Sequence, residues 1–297
     1  MPKSRMALAV EKDKRWDEAT LLERSRAIAC TPKALPRNLW VDAAKTAIEI
    51  NPINYAPVHQ LARVIKGYRP SVSHLAVVRT SYWHTQGVRL TVGFLDNPPK
   101  DLRKRLLSHM NAWAKTARVR FVETKTDPEV RVARAGGPNG GYWSYVGTDI
   151  LHIPANEATM NLEEFTMTMP ESEFHRVVRH ETGHTLGFPH EHMRRQLVKL
   201  IDPRKAIAFY KKDQGWSPAE TRAQVLTPIE ESSLLGTAQA DPNSIMCYQI
   251  PGAITKNGQP IIGGLDIDKI DYTFAGQVYP KQGKPLATPK RPRRKKR

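Results

Sequence analysis

The spacing of apolar residues changes period several times along the chain, and each change marks an element. From Val88 to Leu95 apolar and polar positions alternate around Leu90, Val92 and Phe94, which predicts a strand. Asn97-Pro98 then opens a helix. Leu102, Leu106, Met110, Trp113 and Ala117 follow at spacings of three or four and form one apolar stripe. Short runs rich in β-formers at Val119 to Glu123, Val130 to Ala133 and Thr148 to Ile153 predict further strands. Glu171 to Leu186 reads as a helix with Phe174, Val177 and Val178 turned to the core. Asp202-Pro203 begins another with a cap and a proline at its first position, and Ser217-Pro218-Ala219-Glu220 has the capping-box pattern. A last helix is expected from Asp266 to Phe274, after Gly263-Gly264. Strand, helix, strands and then a second long helix is the order of an α+β domain, a mixed sheet backed by two helices.

Residues 1–75 read differently. They predict three helices, Trp16 to Ala29, Val41 to Ile50 and Pro57 to Lys66, separated by Pro32, Pro36 and Asn51-Pro52. No chemistry is legible there. The chain therefore divides into a helical extension (1–75), a main domain (76–280) and a tail (281–297).

Chemistry concentrates in the stretch His180-Glu181-Thr182-Gly183-His184-Thr185-Leu186-Gly187-Phe188-Pro189-His190, which reads H-E-x-x-H-x-x-G-x-x-H. On a helix His180 and His184 lie about 40° apart on one face, so two neutral imidazoles can share one Zn²⁺ at roughly 2.0–2.1 Å. Glu181 is one step round and cannot join them, but it can reach a water on the metal as general base. A helix continued to residue 190 would turn His190 about 240° away from His184. Gly187 supplies a residue free to end the helix in the left-handed conformation, and Pro189 cannot continue it, so the chain can bring His190 back to the ion. Three histidines leave a fourth coordination position open, the mark of a catalytic rather than a structural zinc. Five fixed positions would match by chance with odds on the order of 10⁻⁴. His192 adjoins a filled site and is expected beside the ligands or at the surface.

At these residues the chain resembles the metzincin metalloproteases and, within them, the astacin family. Phe188-Pro189-His190-Glu191 fits the longer astacin signature, Ser244-Ile245-Met246-Cys247-Tyr248 looks like its Met-turn, and Gly141 to Gly147 is similar to the segment before its last sheet strands. The resemblance implies a twisted mixed five-stranded sheet backed by two long helices, with the active-site cleft above a C-terminal subdomain. It implies zinc ligands His180, His184 and His190, a general base at Glu181, Met246 packed beneath the metal, and Tyr248 as oxyanion donor. The segment around Trp143 to Val146 would lie beside a sheet edge that pairs with substrate. Glu191 would pair with the amino group of a processed N-terminus, and residues 1–75 would be a pro-segment. Astacin pro-segments block zinc with an aspartate; Cys30 as a thiolate is one reading here, an inert buried cysteine the favoured one. Cys247 stands where the family often has histidine, and the chain lacks the cysteines for the family's usual disulfides.

Composition narrows the remaining classes. The chain has 297 residues, 40% hydrophobic and 25% charged, as in a globular protein with a sizeable core. No run of 18 or more apolar residues predicts a transmembrane helix. Two cysteines make no disulfide framework, and the first residues carry an apolar run too short for a Sec-type signal, so the expected location is cytoplasmic or reached by a non-Sec route. Of the net +17 charge, nine Lys or Arg lie in residues 281–297 with no acid among them. Such a tail is expected to be solvated, with weak contact to nucleic acid or an acidic surface as a further role. The function expected is that of a zinc metalloendopeptidase acting on protein or peptide substrates. A non-catalytic zinc-bearing binding protein and a nucleic-acid-associated protein are the alternatives; the presence of Glu181 speaks against the former, since a scaffold needs ligands but no base.

Overall fold

In the computed structural model, residue 30 and residues 33–55, 80–228, 240–247 and 249–281 are described. The expected helices at 16–29 and 57–66, Tyr248, and the basic tail beyond Lys281 lie outside the described residues. No helix among the described residues is long and apolar enough to cross a membrane.

The sheet has five strands in the order β2-β1-β3-β5-β4. They are β1 (Val88–Phe94), β2 (Val119–Glu123), β3 (Val130–Ala133), β4 (Tyr142–Ser144) and β5 (Met160–Leu162). β1 pairs in parallel with β2 and with β3, β3 in parallel with β5, and β4 alone runs antiparallel, at the edge beside β5. This is the mixed sheet expected, but two of its strands were not legible. Met160–Leu162 and Tyr142–Ser144 are each only three residues long, too short to show a period. The segment around Trp143 lies not beside the edge strand but within it.

One strand expectation is corrected. Thr148 to Ile153 is no strand; Gly147–His152 forms a 3₁₀ turn. Gly147 has φ +53°, the Thr148 N–H donates to Ser81 O at 3.0 Å, and the free side of β3 is already paired with β5. Ile150 and Ile153 are buried all the same, which is why the run looked strand-like.

The helix Lys100–Met110 continues into a 3₁₀ turn at Asn111–Lys115, and every residue of its predicted stripe, Leu102, Leu106, Met110, Trp113 and Ala117, is buried. It packs with the second long helix against β1, β2 and β3 in one core. At roughly 25 cal/mol per Å² of apolar surface, such side chains supply most of the drive to fold. The second helix runs over 171–185, with a π turn at Phe174–Val178 before the regular stretch Arg179–Thr185. Because the π turn ends before His180, the four-residue relation to His184 keeps its α-helical geometry. Phe174, Val177 and Val178 face the core as expected.

Below the cleft lies the smaller half. Pro203–Gln214 is capped by Asp202, which accepts from the N–H groups of Arg204 and Lys205, and Ser217 and Glu220 form the predicted capping box. The last helix is Lys269–Val278, three residues later than expected, because Asp268 and Asp271 form a capping box of their own. The N-terminal helix Trp40–Ile50 fits its prediction to within a residue and is docked on the domain. Asn51 Nδ2 donates to Trp83 O at 2.7 Å, Asn54 Nδ2 to Tyr82 O at 2.9 Å, and Leu35, Ala43 and Ile153 are buried together.

Gly187 ends the active-site helix as predicted, with φ +93°. The Phe188 N–H donates to Gly183 O at 3.0 Å and the Gly187 N–H to His184 O at 2.8 Å, the two bonds of a Schellman motif. A Cβ at Gly187 would stand 3.0 Å from Ser81 O. Gly187→Ala therefore combines a left-handed backbone with a close contact, and should destabilise the fold by about 1–2 kcal/mol or more, read as a lowered midpoint in chemical denaturation.

Candidate metal centre and active site

His180, His184 and His190 meet as the motif requires. His180 Nε2 lies 3.2 Å from His190 Nε2, and His184 Nε2 lies 2.9 Å from it. The other ring nitrogens fix the tautomers. His180 Nδ1 is 2.6 Å from Ile245 O and His184 Nδ1 is 2.8 Å from Phe188 O. A carbonyl can only accept, so both Nδ1 atoms carry the proton and both Nε2 atoms present a lone pair. All three rings are buried, and burial holds His180 down to about 4 and His184 and His190 well below the usual imidazole value. Neutral rings with lone pairs about 3 Å apart repel unless a cation lies among them. Ligands at 2.0–2.1 Å in a tetrahedron stand about 3.3 Å apart, so the spacing fits one Zn²⁺. The donor set thus fits the metal that the motif implies.

Glu181 is also buried, and burial raises its carboxyl to about 8. Its Oε2 has no hydrogen-bond partner. A buried carboxylate oxygen left unsatisfied costs about 1–3 kcal/mol or more, and groups of this kind mark sites where a reactant is to be met.

The sequence did not indicate what holds the ligands. Ile245 O, which fixes His180, belongs to the Met-turn. That turn is tied down by Asp271, whose carboxylate accepts from Ser244 Oγ at 2.6 Å and from the Ile245 N–H at 2.9 Å. Glu191 N–H donates to Met246 O at 2.8 Å, which joins the turn to the third histidine's loop. Met246 lies against Gly183: a Cβ there would come within 2.4 Å of Met246 Sδ. The glycine inside the active-site helix, a weak helix former, is therefore required by the methionine beneath it. Trp83 Nε1 donates to Thr185 O at 2.7 Å and the Tyr279 hydroxyl donates to Leu186 O, so the last carbonyls of the helix are satisfied by aromatics from both ends of the domain.

The remaining candidates fall as follows. Glu191 accepts from the Asp241 N–H at 2.9 Å and from Arg194 at 3.4 Å; burial raises its carboxyl to about 7. His192 is fully buried, with Nε2 3.0 Å from Gln224 O, and stands outside the group of converging ligand atoms. Cys247 is buried, which pushes its thiol up. The expectation of an inert role for Cys30 does not fit its position: its Sγ and the ligand atoms of the three histidines all lie within 4.8 Å of one another.

A second group of potential ligands, His109, Glu171 and His175, also comes together. Arg105 bonds Glu171 Oε2 at 2.6 Å, and Arg179 Nε donates to His109 Nδ1 at 3.3 Å, which directs the proton of that ring to Nε2, toward Glu171. With two guanidinium groups and no lone pair offered by His109, this is an ion-pair network between the long helices rather than a cation site.

Comparison with known proteins agrees with this geometry. The family model described as astacin, a peptidase family, matches residues 78–257. The chain belongs to the astacin family. A zinc metalloproteinase of Caenorhabditis elegans, nas-27, is 31% identical over 126 residues, which are 40% of this chain and 27% of that protein. The chain thus spans about a quarter of the length of that curated relative. The structure of myroilysin is 31% identical, with a TM-score of 0.64 over 69% of this chain and 98% of myroilysin. A second myroilysin crystal structure gives 30% identity and a TM-score of 0.52 over 68% of this chain and 86% of that one. This astacin-family chain thus shares the α+β fold of a family of peptidases whose named relatives include a zinc enzyme.

Asp271 reaches the metal ligands only through the Met-turn. Asp271→Ala should free the Ile245 carbonyl from its fixed place and weaken zinc binding by roughly 10–100-fold while the domain still folds, as measured by competition with a chromogenic chelator.

Proposed function

We propose that the chain is a metalloendopeptidase that hydrolyses peptide bonds in protein or peptide substrates, using a single zinc ion held by His180, His184 and His190. The observation that carries this reading is the convergence of three Nε2 lone pairs beside a buried carboxylate with one unpartnered oxygen. A binding scaffold would need the first of these features but not the second.

When bound, the ion supplies a Lewis acid that polarises the peptide carbonyl and acidifies a water. Glu181 takes the proton of the attacking water and passes it to the leaving amine. A carboxyl raised by burial to about 8 holds and releases a proton near neutral pH, which suits a group that must do both. Tyr248, two residues beyond Met246, donates to the oxyanion of the tetrahedral intermediate; that role comes from the family pattern. Met246 supports the helix from below and does not touch the reactants.

Substrate lies along β4. An edge strand offers unpaired backbone groups, and an extended peptide can add to it largely without regard to sequence. Ser144 of β4 is joined to the active-site helix by its Oγ, 3.2 Å from Thr185 Oγ1, so the edge and the ligands are held in one frame. Residues 1–75 are read as a segment removed on activation.

Glu181→Gln should retain stoichiometric zinc by elemental analysis and lose nearly all hydrolysis of a casein-like substrate; residual activity above about a tenth of wild type argues against its role as base. Tyr248→Phe should lower kcat by roughly 10²–10³ with unchanged thermal unfolding, the range for loss of one oxyanion donor, and a variant as active as wild type would remove Tyr248 from the mechanism.

A further inference from the structure

We propose that Cys30 is a built-in fourth ligand of the same metal, so that the uncleaved chain holds its own catalytic centre closed. The inference rests on the reading of His180, His184 and His190 as zinc ligands and adds to it the regulation of that site. Two independent observations carry it. The first is position: Cys30 is buried, and its Sγ lies within 4.8 Å of the ligand atom of each histidine. It also stands against Glu181, with a side-chain hydrogen bond between the two.

The second observation is that the chain beside Cys30 occupies the strand edge assigned to substrate. The Lys33 N–H donates to Ser144 O at 3.1 Å, Lys33 bridges Tyr145 in parallel, and Lys33 Nζ lies 4.9 Å from the centre of the Trp143 ring. Three residues of chain reach at most about 10 Å, so the edge contact and the thiol belong to one short stretch. One segment thus covers both the place where a substrate backbone would pair and the place where its carbonyl would be polarised.

The chemistry favours the thiol over water. Thiolate is a preferred zinc ligand, and a site with four protein ligands is of the closed, non-catalytic type. Closing breaks the S–H bond, the proton leaves to solvent, and the sulfur lone pair takes the open position; no electron is transferred. Opening reverses this as water returns and the sulfur regains a proton. The thiol is also intramolecular. Leu35 is buried with Ala43 and Ile153, Trp40 Nε1 donates to Leu35 O at 2.7 Å, and Asn51 and Asn54 pin the next turn to Trp83 and Tyr82. A ligand so tethered acts at an effective concentration of about millimolar or more, and cutting the chain between Asn54 and the main domain abolishes that advantage.

The test uses the full uncleaved chain with Co²⁺ exchanged for zinc, because a thiolate on cobalt gives an intense near-ultraviolet charge-transfer band that imidazoles do not. The band is expected in wild type and in Cys247→Ser, and lost in Cys30→Ala with the metal content unchanged. Peptidase activity of uncleaved Cys30→Ala should rise at least ~10-fold, the ratio that follows if the open form is about a tenth or less of the wild-type population. Lys33→Pro removes the backbone bond to Ser144 and leaves the thiol in place; it should raise activity and thiol reactivity part of the way, and it covers the case in which Cys30→Ala fails to fold. Metal bound in wild type without the band, or a Cys30→Ala variant no more active than wild type, overturns the latch and leaves the zinc site standing. No metal bound by any variant overturns the zinc site itself.

Discussion

Three imidazole lone pairs directed at one point in a dry interior are the constraint on which the rest of this structure depends. Without a cation between them they are an unfavourable arrangement, and they persist only because the surrounding chain leaves the rings no alternative. Backbone carbonyls impose it. Ile245 O and Phe188 O each take the Nδ1 proton of one ring and so turn its Nε2 lone pair inward. These acceptors lie on different elements, one on the Met-turn and one on the loop that ends the active-site helix. The site is therefore an agreement between parts of the chain that meet only on folding.

Much of the domain serves that agreement. The Schellman end at Gly187 sets where Phe188 O falls and how His190 returns. Asp271, from the last helix, holds the Met-turn by its hydroxyl and amide, and the same carboxylate caps its own helix through the Asp268 N–H at 3.1 Å. Trp83 and Tyr279 satisfy the final helix carbonyls, and Trp83 is in turn gripped by Asn51. Removing one partner from a buried network of this kind leaves its neighbours unsatisfied, so such residues act on the metal at a distance from it.

The N-terminal region belongs to the same frame. Its helix is docked through buried amide bonds to Tyr82 and Trp83, residues that also line the base of the active-site helix. A segment attached to those residues on one side and placed over the metal and the sheet edge on the other can govern access without altering the fold beneath. Activation by chain cleavage is then a change in effective concentration rather than a rearrangement of the catalytic domain.

The zinc motif was fully legible because it is local. His180, His184 and Glu181 are related by helical geometry alone, and Gly187 by its conformational freedom, so spacing determines their arrangement before any tertiary contact forms. The stripe from Leu102 to Ala117 and the caps at Asp202 and Ser217 were legible for the same reason. The strands β4 and β5 were not, since three residues carry no period, and Thr148 to Ile153 was misread because burial alone does not distinguish a strand from a 3₁₀ turn. Nor was the role of Gly183, which only the approach of Met246 explains, or that of Asp271. Cys30 lies 150 residues before His180, and nothing in its neighbourhood distinguishes it from a buried core cysteine. Sequence alone determined which atoms can bind a metal; the packed structure decided which groups orient them and which segment lies across them, because those relations join residues that have no fixed spacing along the chain.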